Sequence, residues 1–207
     1  MRAFPTGTGG RRSARWLGNL SGVDDRERWD AKYAGSLGTE RKEPDPFVLA
    51  CLDRLEPDAG RALDLAAGTG RHALALARRG WRTSAWDVSP IGLGILDAEA
   101  AKAGLAIETH ALDVLAGGPL AGERFELVVV VDFFDRDLWD RLQPLVVAGG
   151  HVIARTFTRD WPGRKPPTRF RLEQGEIENG LPGFEHLLHE EEGGRAGFFG
   201  RRAPDGG

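Results

Sequence analysis

Asp64 closes a short apolar run, Leu63-Asp64-Leu65, and the chain then turns through Ala66-Ala67-Gly68-Thr69-Gly70 into Arg71-His72. Glycines let a backbone approach a ligand closely, and the helix such a turn opens offers free amide donors to anionic groups. Asp87 follows Gly70 by 17 residues and ends a second strand-like run, where a carboxylate accepts both hydroxyls of a ribose. Asp113 ends a third run, after His110-Ala111-Leu112, within reach of an adenine amino group. A dinucleotide would need only the glycines, matched loosely as Gly68, Gly70 and Ala73 in a G-x-G-x-x-G/A pattern. It leaves Asp64 unexplained, whereas the ammonium of an amino-acid moiety calls for a carboxylate there; the acid favours S-adenosylmethionine. Each acid also has a plainer reading, since Asp64 and Asp113 suit helix caps or turn formers.

These residues need strands to carry them, and the pattern supplies them. Strand-like and helix-like segments alternate with short punctuation, as in a parallel sheet covered on both faces. Helical spacing of Phe47, Val48, Cys51, Leu52 and Leu55 predicts a helix over 46–55. Strands follow at 61–65, 82–86, 105–110, 125–131 and 151–157, with a sixth at 184–190 and a seventh at 196–201. Helices are expected at 70–79, from the Ser89-Pro90 cap to Lys102, at 137–145 and at 171–179. The run 125–131 is nearly all valine and leucine, as a strand buried on both faces must be, so it is placed at the centre of the sheet. The expected class is α/β: a Rossmann-like, doubly wound, mostly parallel sheet of six to seven strands with helices on both faces.

The 207 residues, 41% hydrophobic and 29% charged, fit one folded domain, expected over 21–207 after a flexible arm over 1–20. A formal charge of −3 provides no global positive field, so nucleic acid is not an expected partner. The longest apolar run falls far short of a bilayer span, so no membrane is expected either. Cys51 is the only cysteine, which excludes an internal disulfide and fits a reducing, cytoplasmic setting. Cys51 lies in an apolar stripe and is read as core. His186 and His189 lie on a strand at a spacing that puts them on opposite faces, so no metal site is expected.

With Asp64 through Gly70 in the place of motif I, Asp87 in that of the ribose acid, Asp113 as adenine contact and Val128 to Phe134 as motif IV, the chain resembles the class I S-adenosylmethionine-dependent methyltransferases over about residues 28–190. More narrowly it is similar to the small bacterial methyltransferases of the tellurite-resistance TehB group, which share an opening helix like Arg28-Trp29-Asp30-Ala31-Lys32-Tyr33, a Gly-Thr-Gly-Arg-His turn and a segment like Phe170-Arg171-Leu172-Glu173-Gln174-Gly175-Glu176. Ala66 replaces the first glycine of motif I, and the glycine-rich run 193–207 departs from the usual final hairpin, so strand seven is expected to be short or displaced. The resemblance implies S-adenosylmethionine as cofactor and Asp64, Ala66, Gly68, Gly70, Arg71, Asp87, Val88, Asp113 and Val114 as the residues around it. The acceptor is expected to be a small molecule.

A sulfonium methyl is already activated, so the protein must chiefly hold a nucleophile in line with it. Where the acceptor is a hydroxyl or amine a base is needed, and Asp132, at the end of strand four, is the candidate; a helix N-cap is its alternative reading. Trp29 and Tyr33 are expected as lid elements, with Phe133, Arg136 and Arg155 on the substrate side. Phe134 and Trp139 suit plain core. Asp132 is followed by Phe133-Phe134 and not by the Pro-Pro-Tyr of enzymes that methylate base amines, so that chemistry is not expected. Two other readings remain: a non-catalytic cofactor-binding protein, and an NAD(P)-dependent oxidoreductase resting on the glycine turn alone.

Overall fold

The structure is a computed structural model and describes residues 25–35, 43–56, 60–115, 122–139, 141–179 and 181–204; the arm expected over 1–20 lies outside them. The elements are α1 (Asp25–Gly35), α2 (Pro46–Leu52), β1 (Arg61–Leu65), α3 (Arg71–Arg78), β2 (Arg82–Asp87), α4 (Pro90–Lys102), β3 (Ile107–Ala111), β4 (Phe125–Val131), α5 (Arg136–Trp139), β5 (Val146–Phe157), α6 (Glu176–Asn179), β6 (Phe184–Glu192) and β7 (Arg195–Arg202). Seven strands form one sheet in the order β3-β2-β1-β4-β5-β7-β6. The first five strands run parallel and β7 pairs antiparallel with both β5 and β6. The chain builds outward from β1 in one direction and then from β4 in the other. The crevice at the carboxyl ends of β1 and β4 is therefore the place such sheets reserve for a ligand.

The apolar run of β4 does what its composition requires. Val128 and Val130 pack into one layer with Leu63, Leu65 and Phe134, while Leu127, Val129 and Val131 pack into the other with Phe47, Val48, Cys51 and Leu76. A third cluster of Ala73, Leu74, Ala85, Leu93 and Leu96 seats α3 and α4 beside β2. Each fully buried valine or leucine stabilises the fold by about 1.5–3 kcal/mol.

Boundaries differ from the sequence reading where long-range contacts decide. The helix expected over 46–55 ends at Leu52, and the one expected over 137–145 is split into α5 and a separate 3-10 turn, Gln143–Leu145, where Pro144 lacks the amide an α-helix needs. That expected over 171–179 is reduced to α6, preceded by a 3-10 turn at Thr168–Phe170. The fifth strand, expected from 151, begins at Val146 and takes in Gly149 and Gly150, where the register against β4 shifts between Phe125 and Leu127. Strand seven is neither short nor displaced: eight residues long, it fills the place between β5 and β6.

Gly193 and Gly194 close the β6–β7 hairpin with φ of +60° and +77°, the sign that two-residue turns joining antiparallel strands demand. A Cβ on Gly193 would meet nothing within 4 Å, whereas one on Gly194 would lie 2.3 Å from the Trp161 Cα. Gly193→Ala is therefore expected to lower unfolding free energy by about 1 kcal/mol and Gly194→Ala by about 3 kcal/mol or more, read from urea denaturation. Equal losses would contradict this account of the hairpin.

Candidate active site

The cavity is formed by strand ends and α1, with Glu43 and Pro44 ahead of α2 and side chains of α3 and α4 completing its wall. The cavity measures about 470 Å³ and takes Ala66, Gly68 and Thr69 from the turn after β1, Asp87 and Val88 from the end of β2, Asp113 and Val114 from beyond β3, and Asp132 and Phe133 from beyond β4. Arg71, at the start of α3, forms part of its wall. Trp29 and Tyr33 stack with ring centroids 5.7 Å apart and reach the cavity from α1.

Asp87 organises the floor. Its Oδ2 accepts the Gly68 amide at 2.8 Å and its Oδ1 the Ser89 amide at 2.8 Å, tying the glycine turn to the cap of α4. Burial raises its pKa, against the pull of these amides. A carboxylate has about four lone-pair directions, so two remain for hydroxyls in the cavity. Gly68 has φ +58°, and a Cβ there would stand 2.7 Å from the Tyr33 hydroxyl oxygen. A Cβ on Gly92 would stand 2.9 Å from the Tyr33 ring. The two glycines thus cut the slot in which Tyr33 lies. Burial, reinforced by Asp87 and Asp64, holds the Tyr33 phenol well above its ordinary value, so its hydroxyl keeps its proton.

Asp64 does not line the cavity. It is 1% exposed, behind the turn, and its Oδ2 accepts the Ala73 amide at 2.8 Å in the first turn of α3, the helix-start role that was its plainer reading. Asp113 accepts the Leu115 amide at 2.8 Å as a turn former while still lining the cavity. Gly70 also stays behind the wall, where a Cβ would meet a Leu96 methyl at 2.3 Å.

At the far rim Asp132 has φ +61°, a conformation that costs a non-glycine residue about 1–2 kcal/mol. Its amide donates to the Arg155 carbonyl at 2.8 Å, Arg71 holds Oδ2 at 3.0 Å, and Arg195 of β7 holds Oδ1. It caps no helix; Asp135 caps α5 instead, accepting the Leu138 amide at 3.1 Å. Arg195 also holds Asp45 at 2.9 Å, and Asp45, 3% exposed, meets Arg155 at 3.3 Å. Asp45 donates its amide to His72 Nε2 at 3.3 Å; burial pushes His72 down to about 3, so the imidazole is a neutral acceptor.

Two expected substrate residues stand elsewhere. Arg155 pairs with the buried Asp45 and with the more exposed Glu190, and Arg136 forms a two-pronged pair with Glu176 at 2.9 and 2.8 Å; neither lines the cavity. Phe134 and Trp139 are core. Asp30, Asp45, His72 and Arg195 were missed as a group, because their partners lie 27 to 150 residues away and carry no local signal. His186 and His189 do not face apart: a register shift between His186 and Leu188 brings their rings to 5.7 Å, with His186 stacked on Phe198. Among the described residues no His, Cys, Asp and Glu group is arranged to hold a metal ion. Burial pushes the Cys51 thiol up to about 12, which suits core and not a nucleophile.

Burial carries the Asp64 carboxyl from 3.8 up to about 7. A carboxyl whose value is higher in the folded chain favours folding when protonated, so this contribution is full below about pH 4 and is lost as pH rises through about 7. Asp64→Asn removes the titration and keeps an oxygen for the Ala73 amide. Relative to wild type, the variant is expected to gain stability between about pH 4 and 7, by at most about 1.4 kcal/mol per unit, in urea unfolding series. A difference that stays flat with pH would contradict the assignment.

A methyltransferase-domain family matches residues 62–147, the segment from β1 to the start of β5. No curated protein sequence matches the chain. Among solved structures, TehB from Haemophilus influenzae superposes with TM-score 0.67 at 18% identity, covering 84% of this chain and 67% of that one. An S-adenosylmethionine-dependent methyltransferase from Aquifex aeolicus gives 0.67 at 14%, covering 84% and 98%. Coclaurine N-methyltransferase, bound to N-methylheliamine and S-adenosylhomocysteine, gives 0.58 at 15%, covering 70% and 49%. At these identities the superpositions speak for the fold, and the family match covers less than half of the chain. The residues present fit the cofactor: a glycine turn with no room for a Cβ, a ribose-height carboxylate with free lone pairs, and a cavity of suitable size. No helix among the described residues is long and apolar enough to cross a membrane. The fold is that of the S-adenosylmethionine-dependent methyltransferases it superposes on, TehB among them, and residues 62–147, which carry the turn after β1 and the ends of β2, β3 and β4, match a methyltransferase-domain family.

Proposed function

We propose that the chain methylates a small-molecule acceptor bound on the Asp132–Phe133 side of the cavity. The observation that carries this reading is the roof: α1 lays Trp29 and Tyr33 across the same cavity that the strand-end acids line. A chamber closed in this way favours an acceptor that enters it whole.

S-adenosylmethionine, when bound, supplies an electrophilic methyl whose bonding pair to sulfur stays on sulfur as a nucleophile's lone pair takes the carbon. The chain's residues do the rest. Asp87 accepts from the ribose hydroxyls, Asp113 from the adenine amine, and Val88 and Val114 give apolar contact to the base. The Gly68 turn lets the backbone come close, and Asp64, in its ionised form, adds negative charge behind it for the ammonium. Phe133 and Tyr33 exclude water from the reacting centre. An amine or hydroxyl that has attacked a methyl carries a strongly acidic proton, and Asp132 takes it. Arg71 and Arg195 fix the direction of that carboxylate, each occupying one oxygen and leaving a lone pair on both. A thiolate acceptor would need no such transfer.

Asp87→Ala is expected to weaken S-adenosylhomocysteine binding at least about 10-fold in calorimetric titration, the loss of a charge-assisted pair of hydrogen bonds, with an unchanged circular dichroism spectrum. Unchanged affinity, or a wild-type preference for NAD or NADP, would overturn the cofactor assignment. An acceptor screen of thiols, amines and oxyanions with radiolabelled methyl donor tests the substrate class, and labelling only of protein or nucleic acid would overturn it. On the acceptor so found, Asp132→Asn is expected to slow turnover about 100-fold while leaving S-adenosylhomocysteine affinity within about twofold. Full turnover would remove Asp132 from the proton path.

A further inference from the structure

α1 roofs the cavity, yet none of its eleven residues is fully buried: Trp29, Asp30 and Tyr33 are half-buried, and six of the eleven are charged. A helix of that kind has little apolar burial to hold it in place, so specific contacts must do so. Two are present. Tyr33 lies in the slot cut by Gly68 and Gly92, and Asp30, one turn earlier, accepts a short hydrogen bond from the Ser89 hydroxyl on Oδ1. The same oxygen lies 3.5 Å from the Ile91 amide.

Ser89 is the centre of this arrangement. It is fully buried, its hydroxyl oxygen accepts the Gly92 amide at 3.1 Å as the N-cap of α4, and its own amide donates to Asp87 at 2.8 Å. Asp87 in turn accepts from Gly68, over which Tyr33 lies. The contacts therefore form a ring: Asp30 to Ser89, Ser89 to Asp87, Asp87 to Gly68, Gly68 to Tyr33, and back along one turn of α1 to Asp30. The ring encloses the place assigned to the ribose.

We propose that Asp30 is a positioning residue that latches α1 over the bound cofactor, holding Tyr33 in its slot and setting how long the cofactor stays. This rests on the reading of the cavity as the S-adenosylmethionine site. Asp30 does not line the cavity; it acts through Ser89 and through the placement of Tyr33. The latch is polar, so it opens without unpacking any of the core, as a gate over a deep site must.

The test is stopped-flow binding of S-adenosylhomocysteine to wild type, Asp30→Ala, Asp30→Asn and, as a control on the exposed face of α1, Glu27→Ala, each with its Tm. Asp30→Ala is expected to raise the dissociation rate about 10-fold, with a Tm close to wild type, because a charged hydrogen bond is lost and no core contact is. Asp30→Asn keeps an oxygen for the Ser89 hydroxyl and is expected to recover most of the slow release, while Glu27→Ala matches wild type. An Asp30→Ala dissociation rate equal to wild type overturns the latch and leaves the cofactor site standing. A change in Tm without a change in release also overturns it, since that marks a purely structural contact. Failure of wild type to bind S-adenosylhomocysteine overturns the cofactor reading and the latch with it.

Discussion

The site depends on one carboxylate bridging two backbone amides. Asp87 takes the amide of Gly68 with one oxygen and that of Ser89 with the other, so the turn after β1 and the cap of α4 are fixed against the end of β2 by a single side chain. Both amides belong to turns whose donors have no partner within their own element. Burial raises the Asp87 pKa, and these two hydrogen bonds oppose it. Around this bridge the rest is placed: the slot for Tyr33, the buried Asp64 holding the start of α3, and the hydroxyl of Ser89 that reaches α1. The sheet order matters because β1 lies between β2 and β4, which brings Asp87 and Asp132 to opposite sides of one crevice.

The far rim is built differently, from charge and not from amides. Three arginines, Arg71, Arg155 and Arg195, alternate with Asp45, Asp132 and Glu190 across α3, β4, β7, the α2 cap, β5 and β6. Taking such groups out of water costs several kcal/mol per ion unless each is paired and hydrogen-bonded, and here each has a partner of opposite sign. The network holds Asp132 in its left-handed conformation and joins the antiparallel β6–β7 hairpin to the rim of the cavity. Its dividend is direction: a carboxylate gripped from two sides presents its remaining lone pairs one way.

Much of this is legible in the sequence alone. Local patterns sufficed for β1 and β4, whose bounds coincide with those read from sequence, and for the Ser89-Pro90 start of α4, where one side chain and the next ring decide the outcome. The acids at the ends of β2 and β3 and the glycine turn came with them. What stayed hidden depends on partners far along the chain. Arg155 looks like a rim residue until Asp45 and Glu190 are placed beside it, and Arg136 until Glu176 is. Asp64 reads as a ligand contact because its sequence position does not show that the Ala73 amide takes its oxygen. The histidines of β6 were assigned to opposite faces by a two-residue repeat that a register shift at His186 breaks. Asp30 left no signal, being one acid among several on a polar helix.

If the site is built as proposed, the crevice above Asp87 holds the cofactor beneath α1. A crystal structure of the protein with S-adenosylhomocysteine tests it most directly. The account predicts the ribose hydroxyls within hydrogen-bond distance of the Asp87 carboxylate, the adenine beside Asp113 and Val114, and Tyr33 over the ligand. A ligand seated outside this crevice, or an Asp87 turned away from the ribose, would contradict it.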